Sequence, residues 1–331
     1  MDSSIIDNDN IRLLQDAEDV LLGTDRDALA HTISELWQLV LDVICTSLIV
    51  RIRAAALLRR AQDELHRHII LLTNTRHIRS VASTSIQVLT ELNPHIDSES
   101  DLIHSWFLFV SSISLHLDRD MCKVFFSLTM YPRLLKLVIE QLRRSCNKVV
   151  ASLMFCLALF HAHEKACQIE ILLPLLNEVD GREYVGSALL HALNFCGRPC
   201  HKVYTPHLKY TIQLLTHILR DKKMASSLLF VNDMKILIEV LLRECVDMSW
   251  DEIGLVYYLS LLDPILQSEQ FTATDKYRRD EILIMLQGFV HRASVNIEEA
   301  LKGSNTVNDS VRKSILKLSH TALLKHIDIL D

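Results

Sequence analysis

Eight cysteines and sixteen histidines make metal ligation the first chemistry to weigh. Cys196, Cys200 and His201 surround Gly197 and Pro199 and could supply ligands from a loop. Their spacing departs from the Cys-x-x-Cys knuckle, and no second Cys/His pair follows at a zinc-finger distance. Cys156, His161, His163 and Cys167 form a second group, but His161 and His163 are two apart and so project from different helix faces. Core-edge or solvated histidines explain them better. The paired acids Asp280/Glu281 and Glu298/Glu299 are adjacent, diverge by about 100° on a helix and read as solvated faces rather than an acid/base pair. Phosphate-loop, dinucleotide, zincin and nucleophile-elbow motifs are missing, and seven glycines leave little material for a phosphate cradle. No catalytic residue, metal site or cofactor is therefore expected, and an enzyme on a helical scaffold is the weakest reading.

Docking chemistry remains. From Met1 to Asp42 ten acids face two bases, whereas Arg51, Arg53, Arg59, Arg60, Arg67, Arg76 and Arg79 follow against only Asp63 and Glu64. Such arginines either line a solvated helix face or form a surface for an acidic protein partner. A net charge of −6 and the lack of a motif with interleaved aromatics point away from nucleic acid. A second pattern runs from Asn232 to Glu281. Lys235, Glu239, Arg243 and Asp247 recur every fourth residue with almost only apolar residues between, which predicts a helix buried on most sides with one stripe of alternating charge.

The elements that must position these residues are helices. Leucine is 57 of 331 residues, while glycine (7) and proline (6) are scarce, so helix is favoured and strands with tight turns are not. Periodic apolar segments predict sixteen helices near 10–22, 27–49, 52–74, 77–93, 100–117, 120–129, 131–145, 147–163, 166–177, 181–196, 204–220, 222–230, 232–247, 251–268, 275–292 and 307–329. Pro264 predicts a kink in the 251–268 helix. The expected fold is all-α, an armadillo/HEAT-like α-solenoid, with a compact multi-helix domain as the alternative. Residues 1–9 are expected to be a flexible N-terminus and 10–331 a single leucine-rich helical domain. Asp42 interrupts the best apolar run, Leu36–Val50, which Arg51 and Arg53 follow at once; Val149–Phe160 is too short to cross a bilayer, and no secretory leader is read, so no membrane insertion is expected. Scattered cysteines in apolar contexts read as thiols of a reducing compartment, and a cytoplasmic location follows as the default.

Within the Asn232–Glu281 region lie Asn232-Asp233, then Ile236, Leu237, Ile238, Leu242, Arg243 and Asp247. Further on come Tyr258-Leu259, Leu262-Asp263-Pro264-Ile265-Leu266 and Tyr277-Arg278-Arg279-Asp280-Glu281. This ordered set resembles the leucine-rich domain of the WISH/DIP/SPIN family, over about residues 205–292; earlier residues match only in helical character and leucine content. With no Pro-rich or SH3-like segment, the chain is similar to the short fungal type. The resemblance implies an armadillo-like fold and a non-enzymatic factor that binds the actin-related protein 2/3 complex, acts indirectly on actin, and activates the complex without a preformed filament to make linear seeds. It also implies cytoskeletal localisation at cortical actin patches and a part in endocytosis. Exposed arginines and aromatics concentrate interface energy, so Arg243, Tyr277, Arg278 and Arg279 are the first partner-binding candidates, with Arg51, Arg53, Arg59 and Arg60 second. Tyr277 and Arg243 could equally tie neighbouring helices together. The competing function is a generic solenoid adaptor that binds a peptide or helix of another cytosolic protein.

Overall fold

The computed structural model describes residues 3–21, 26–42, 46–65, 75–197, 201–250, 252–300 and 307–330. Nineteen α-helices and one 3-10 turn, and no strand, occur among the described residues, so the fold is all-α and solenoid-like. The chain divides into two compact units, Met1–Arg182 and Glu183–Asp331.

The first unit holds α1 (Ser3–Leu21), α2 (Arg26–Leu41), α3 (Leu48–Leu65), α4 (Thr75–Glu91), α5 (Asp97–Ser114), α6 (Arg119–Ser127), α7 (Tyr131–Leu142), α8 (Asn147–Cys167) and α9 (Leu172–Glu178). One row of contacts runs from α2 through α3 and α5 to α8, and a second from α4 through α7 to α9. That two-row stacking of successive helices is how a solenoid buries faces that no single repeat could bury alone. The middle of the unit is α8, in which every residue from Val149 to His161 is buried, as an all-round apolar helix requires. At 21 residues α8 is longer than its apolar run predicts and matches a membrane span in length and composition, yet 78% of the relevant window is packed inside the fold. Phe125, Phe126, Tyr131 and Phe160 interlock beside it, with ring centroids 5.0–5.9 Å apart.

A buried carboxylate fastens the far end of α8. Glu164 accepts the Tyr131 hydroxyl at 2.6 Å and the backbone N–H groups of Ile171 (3.1 Å) and Leu172 (3.0 Å), joining α8, α7 and the start of α9. Burial pushes its pKa up against the pull of these hydrogen bonds. The four metal-candidate residues of this region separate. Cys156 donates to Phe107 O, His163 Nε2 lies 2.7 Å from Ser114 O, Cys167 donates to Arg119 O, and His161 is buried.

The second unit holds the 3-10 turn's last residues, α10 (Val185–Phe195), α11 (His201–Arg220), α12 (Lys222–Leu228), α13 (Val231–Asp247), α14 (Ile253–Ser260), α15 (Leu262–Leu266), α16 (Glu269–Ala273), α17 (Arg279–Ala300), α18 (Val307–Lys325) and α19 (Ile327–Leu330). Contacts again form two rows, α11–α14–α18 and α10–α13–α17. The expected 251–268 helix is interrupted ahead of Pro264, with Leu261 at the junction keeping right-handed helical angles (φ −78°, ψ −21°). Pro264 offers no N–H and its ring opposes the carbonyl four residues back, so α14 ends at Ser260 and α15 restarts at Leu262. The expected 275–292 helix starts at Arg279, which leaves residues 275–278 in a turn.

Asp263 anchors the end of this unit, accepting from Lys325 Nζ at 2.7 Å and lying 2.9 Å from His326 Nε2. Burial alone would raise its pKa, but the hydrogen bonds and charges of Lys325 and His326 prevail and leave it lowered.

Two predictions follow from these carboxylates. Glu164→Ala strands the buried Tyr131 hydroxyl and the N–H groups of Ile171 and Leu172, and chemical denaturation should show a loss of about 2–5 kcal/mol; an unchanged midpoint would refute the role of the fastening. Asp263 binds protons less readily folded than unfolded, so its contribution is present above the ordinary carboxylate pKa and is lost as pH falls through the lowered value. Thermal melts from pH 6 to pH 3 should therefore show the wild type losing stability more steeply than Asp263→Asn, about the usual carboxylate range near 4.

Candidate functional site

Helix α13 carries the charge stripe as its sequence predicts: Arg243 and Asp247 are exposed, and Lys235 and Glu239 half-buried. The apolar residues beside the stripe depart from expectation. Val246 is 72% exposed and Ile236 49% exposed, although apolar spacing assigned both to the interior. Facing Val246 across a groove of about 440 Å³ is Ile284 of α17, 67% exposed, with Leu242 and Met285 also lining the space. Single exposed aliphatics are ordinary on a protein surface. Two of them sharing one groove form an apolar anchor site.

Glu239, Arg243, Asp247, Arg278 and Glu281 complete the lining. Arg278 Nη1 lies 3.0 Å from Glu239 and 3.2 Å from Glu281. Arg243 turns to Glu244, donating from Nε at 2.9 Å, and to Asn194 Oδ1 at 3.0 Å. Glu244, which the sequence reading passed over, is only 2% exposed, and its second oxygen has no hydrogen-bond partner among the described residues. Gly197 makes room for this carboxylate: a Cβ there would lie 2.6 Å from Glu244 Oε1. The position of Glu244, three and seven residues after the buried Leu241 and Leu237, already placed it on the core face of α13.

The turn before α17 brings the remaining candidates in. Asp275, Lys276 and Arg278 have φ of 56°, 56° and 54°, left-handed conformations that each cost a non-glycine residue on the order of 1 kcal/mol. In compensation, Tyr277 N donates to Thr274 Oγ1 at 3.1 Å and the Tyr277 hydroxyl donates to Glu239 Oε1 at 2.7 Å. Lys235 Nζ lies 5.6 Å from the Tyr277 ring centroid. The hydrogen bond to Glu239 raises the phenol pKa.

Arg243 and Arg278 thus share the groove, and Tyr277 supports its rim from behind through Glu239. Arg279 does not line the groove and pairs with Asp280 at 3.3 Å. One member of the second set of arginines is not at the surface. Arg51 is 2% exposed and donates to Thr84 (2.7 Å) and Gln87 (2.8 Å), tying α3 to α4, which corrects its assignment to a docking face. Burial lowers its pKa. Arg60 pairs with Glu18 at 3.0 Å, Arg59 is half-buried, and Arg53 and Arg79 are exposed. Arg67, Cys200 and the side chains of Arg76 and His201 lie outside the described residues. Groups of three or more potential metal ligands are absent among the described residues.

A stacked-helix scaffold that carries an apolar groove with a rim of paired charges fits a protein-interaction module. A family model for the SPIN90/Ldb17 leucine-rich domain matches residues 79–282, and the chain belongs to that family. The family is one of non-enzymatic adaptors linked to actin-related regulation. No curated protein matches the chain. The match begins well before residue 205, where the recognisable motifs start, and takes in Arg243, Tyr277, Arg278 and Glu281; Arg51, Arg53, Arg59 and Arg60 precede it.

The Gly197–Glu244 contact is open to a direct check. Gly197→Ala should displace the carboxylate and lower stability by about 1–3 kcal/mol. Combined with Glu244→Ala the two losses should be less than additive, as measured by denaturant midpoints; strict additivity would show that Gly197 serves something other than this close approach.

Proposed function

We propose that this protein is a non-enzymatic nucleation-promoting factor, which binds the actin-related protein 2/3 complex and activates it without a preformed filament to generate linear seeds. Family membership supports the actin-linked part of this reading. The observation that carries the docking part is the α13–α17 groove, with Val246 and Ile284 as exposed anchors between Arg243 and Arg278. No cofactor or nucleic acid enters the reaction, the partner being protein throughout. The same reading puts the protein in the cytoplasm at cortical actin patches, in endocytosis.

Activation here is a population shift. A scaffold biases a multi-subunit complex only by the difference in its affinity for the active and inactive arrangements. Moving the complex from 1% to 99% active requires about 5.5 kcal/mol of that difference. A preformed groove on packed helices contributes efficiently because little ordering accompanies binding.

Purified protein added to the complex and actin monomers, with no filament seeds, should shorten the assembly lag in proportion to its concentration and yield unbranched filaments by fluorescence microscopy. Val246→Asp with Ile284→Asp should abolish the effect at unchanged helicity, since both side chains already face solvent. Lag times that do not respond to the wild type would sink the reading, and binding without shortened lags would leave an adaptor in its place.

A further inference from the structure

Glycine inside a helix is destabilising relative to alanine, so an interior helical glycine needs a reason. Close packing gives that reason at Gly186 of α10, where an added Cβ would lie 2.3 Å from Leu228 O. It does so again at Gly254 of α14, where the Cβ would lie 3.1 Å from Met248 Sδ. At Gly288, near the middle of α17, an added Cβ would meet no atom of the described residues within 4 Å. Gly288 follows Ile284 by four residues and Met285 by three, so it continues the α17 wall of the groove one turn further along. The missing side chain therefore clears space on the partner-facing side of α17 rather than inside the fold.

Charge narrows the occupant. Three carboxylates (Glu239, Asp247 and Glu281) line the groove against two guanidinium groups. Arg278 is shared between Glu239 and Glu281, and Arg243 is turned to the buried Glu244, so negative charge is in excess. Asp247 closes α13, at the end of a helix where the dipole disfavours an anion. The walls themselves narrow it further. Both are helices, whose backbone groups are already bonded within each helix, so the groove gives an extended segment no sheet edge to pair with. An occupant that lays its backbone against α17 must satisfy its own backbone groups, as a helix does.

We infer that the groove extends to Gly288 and receives a basic amphipathic helix of the protein partner. Its apolar residues cover Val246 and Ile284, its backbone crosses α17 at Gly288, and a Lys or Arg lies beside Asp247. The inference rests on the function proposed above and names the chemistry of the docked element. Helix axes approach only as closely as the side chains at the crossing permit, and glycine permits the closest approach.

The test measures binding of the purified chain to the actin-related protein 2/3 complex, with helicity and melting temperature recorded for each variant. Gly288→Ala should raise the melting temperature of the free chain, by about 2–4 °C, and yet weaken binding about tenfold. Because the two effects have opposite signs, a fold defect cannot produce the loss. Gly288→Leu should weaken binding further, and Asp247→Lys should weaken it about fivefold. Unchanged affinity in Gly288→Ala, or tighter binding in Gly288→Leu, overturns the close approach while leaving the function reading intact. Tighter binding in Asp247→Lys overturns the basic character of the occupant. A wild type that binds no complex overturns the function reading, and this inference with it.

Discussion

A helix stacked between two others has little surface open to water, so an ionisable group on its buried side must find its partners inside the protein. That constraint shapes both units. On α8 it produces Glu164, whose carboxylate collects one hydroxyl and two backbone N–H groups and so fixes where α9 begins. On α13 it produces Glu244, whose buried oxygen takes the guanidinium of Arg243 and needs Gly197 for clearance. Arg51 obeys the same rule with the opposite sign, buried and bonded to two side chains of α4. Removing one partner of such a set leaves the other desolvated and unpaired, which is why these contacts determine helix placement more strongly than their net energies indicate.

The groove is what remains after those internal demands are met. Arg243 is drawn to Glu244 and Asn194, which leaves Glu239 to Tyr277 and Arg278. The rim is therefore internally paired, and exposed pairs of this kind contribute little stability. Its floor is different. Val246 of α13 and Ile284 of α17 stay largely in water, a departure from the apolar-inside pattern of the buried faces of their helices. Such departures concentrate where a protein meets something else.

How much of this was legible in the sequence depended on whether local pattern or tertiary contact decided the outcome. The four-residue spacing from Lys235 to Asp247 placed α13 within one residue of its observed bounds, because period and burial agree there. Pro264 marked the disruption correctly, since losing one N–H and adding a ring clash interrupts the hydrogen-bond ladder between α14 and α15. The turn at 275–278 was read as helix because Thr-Asp-Lys-Tyr-Arg contains neither glycine nor proline, and its left-handed residues are held by contacts from Thr274 and from Glu239 of α13. Val246 was read as core because apolar spacing cannot distinguish a face that packs in the monomer from one that packs on a partner. Family resemblance was visible from residue 205 onward, where polar residues punctuate the leucines, while the family match extends back to residue 79 through helices whose leucine-rich faces resemble those of any stacked helix.

The division of labour within the groove follows from these facts. Apolar surface supplies affinity without direction, and paired charge supplies direction with little affinity. A surface that must distinguish one protein partner from another needs both, because Val246 and Ile284 could be buried against any apolar face. Discrimination has to come from groups whose geometry is fixed beforehand, and a guanidinium held by a strained turn is fixed in that sense. The backbone strain at Asp275, Lys276 and Arg278 is offset inside the chain by Thr274 and Glu239. The scaffold thus carries the cost of that turn in its own fold.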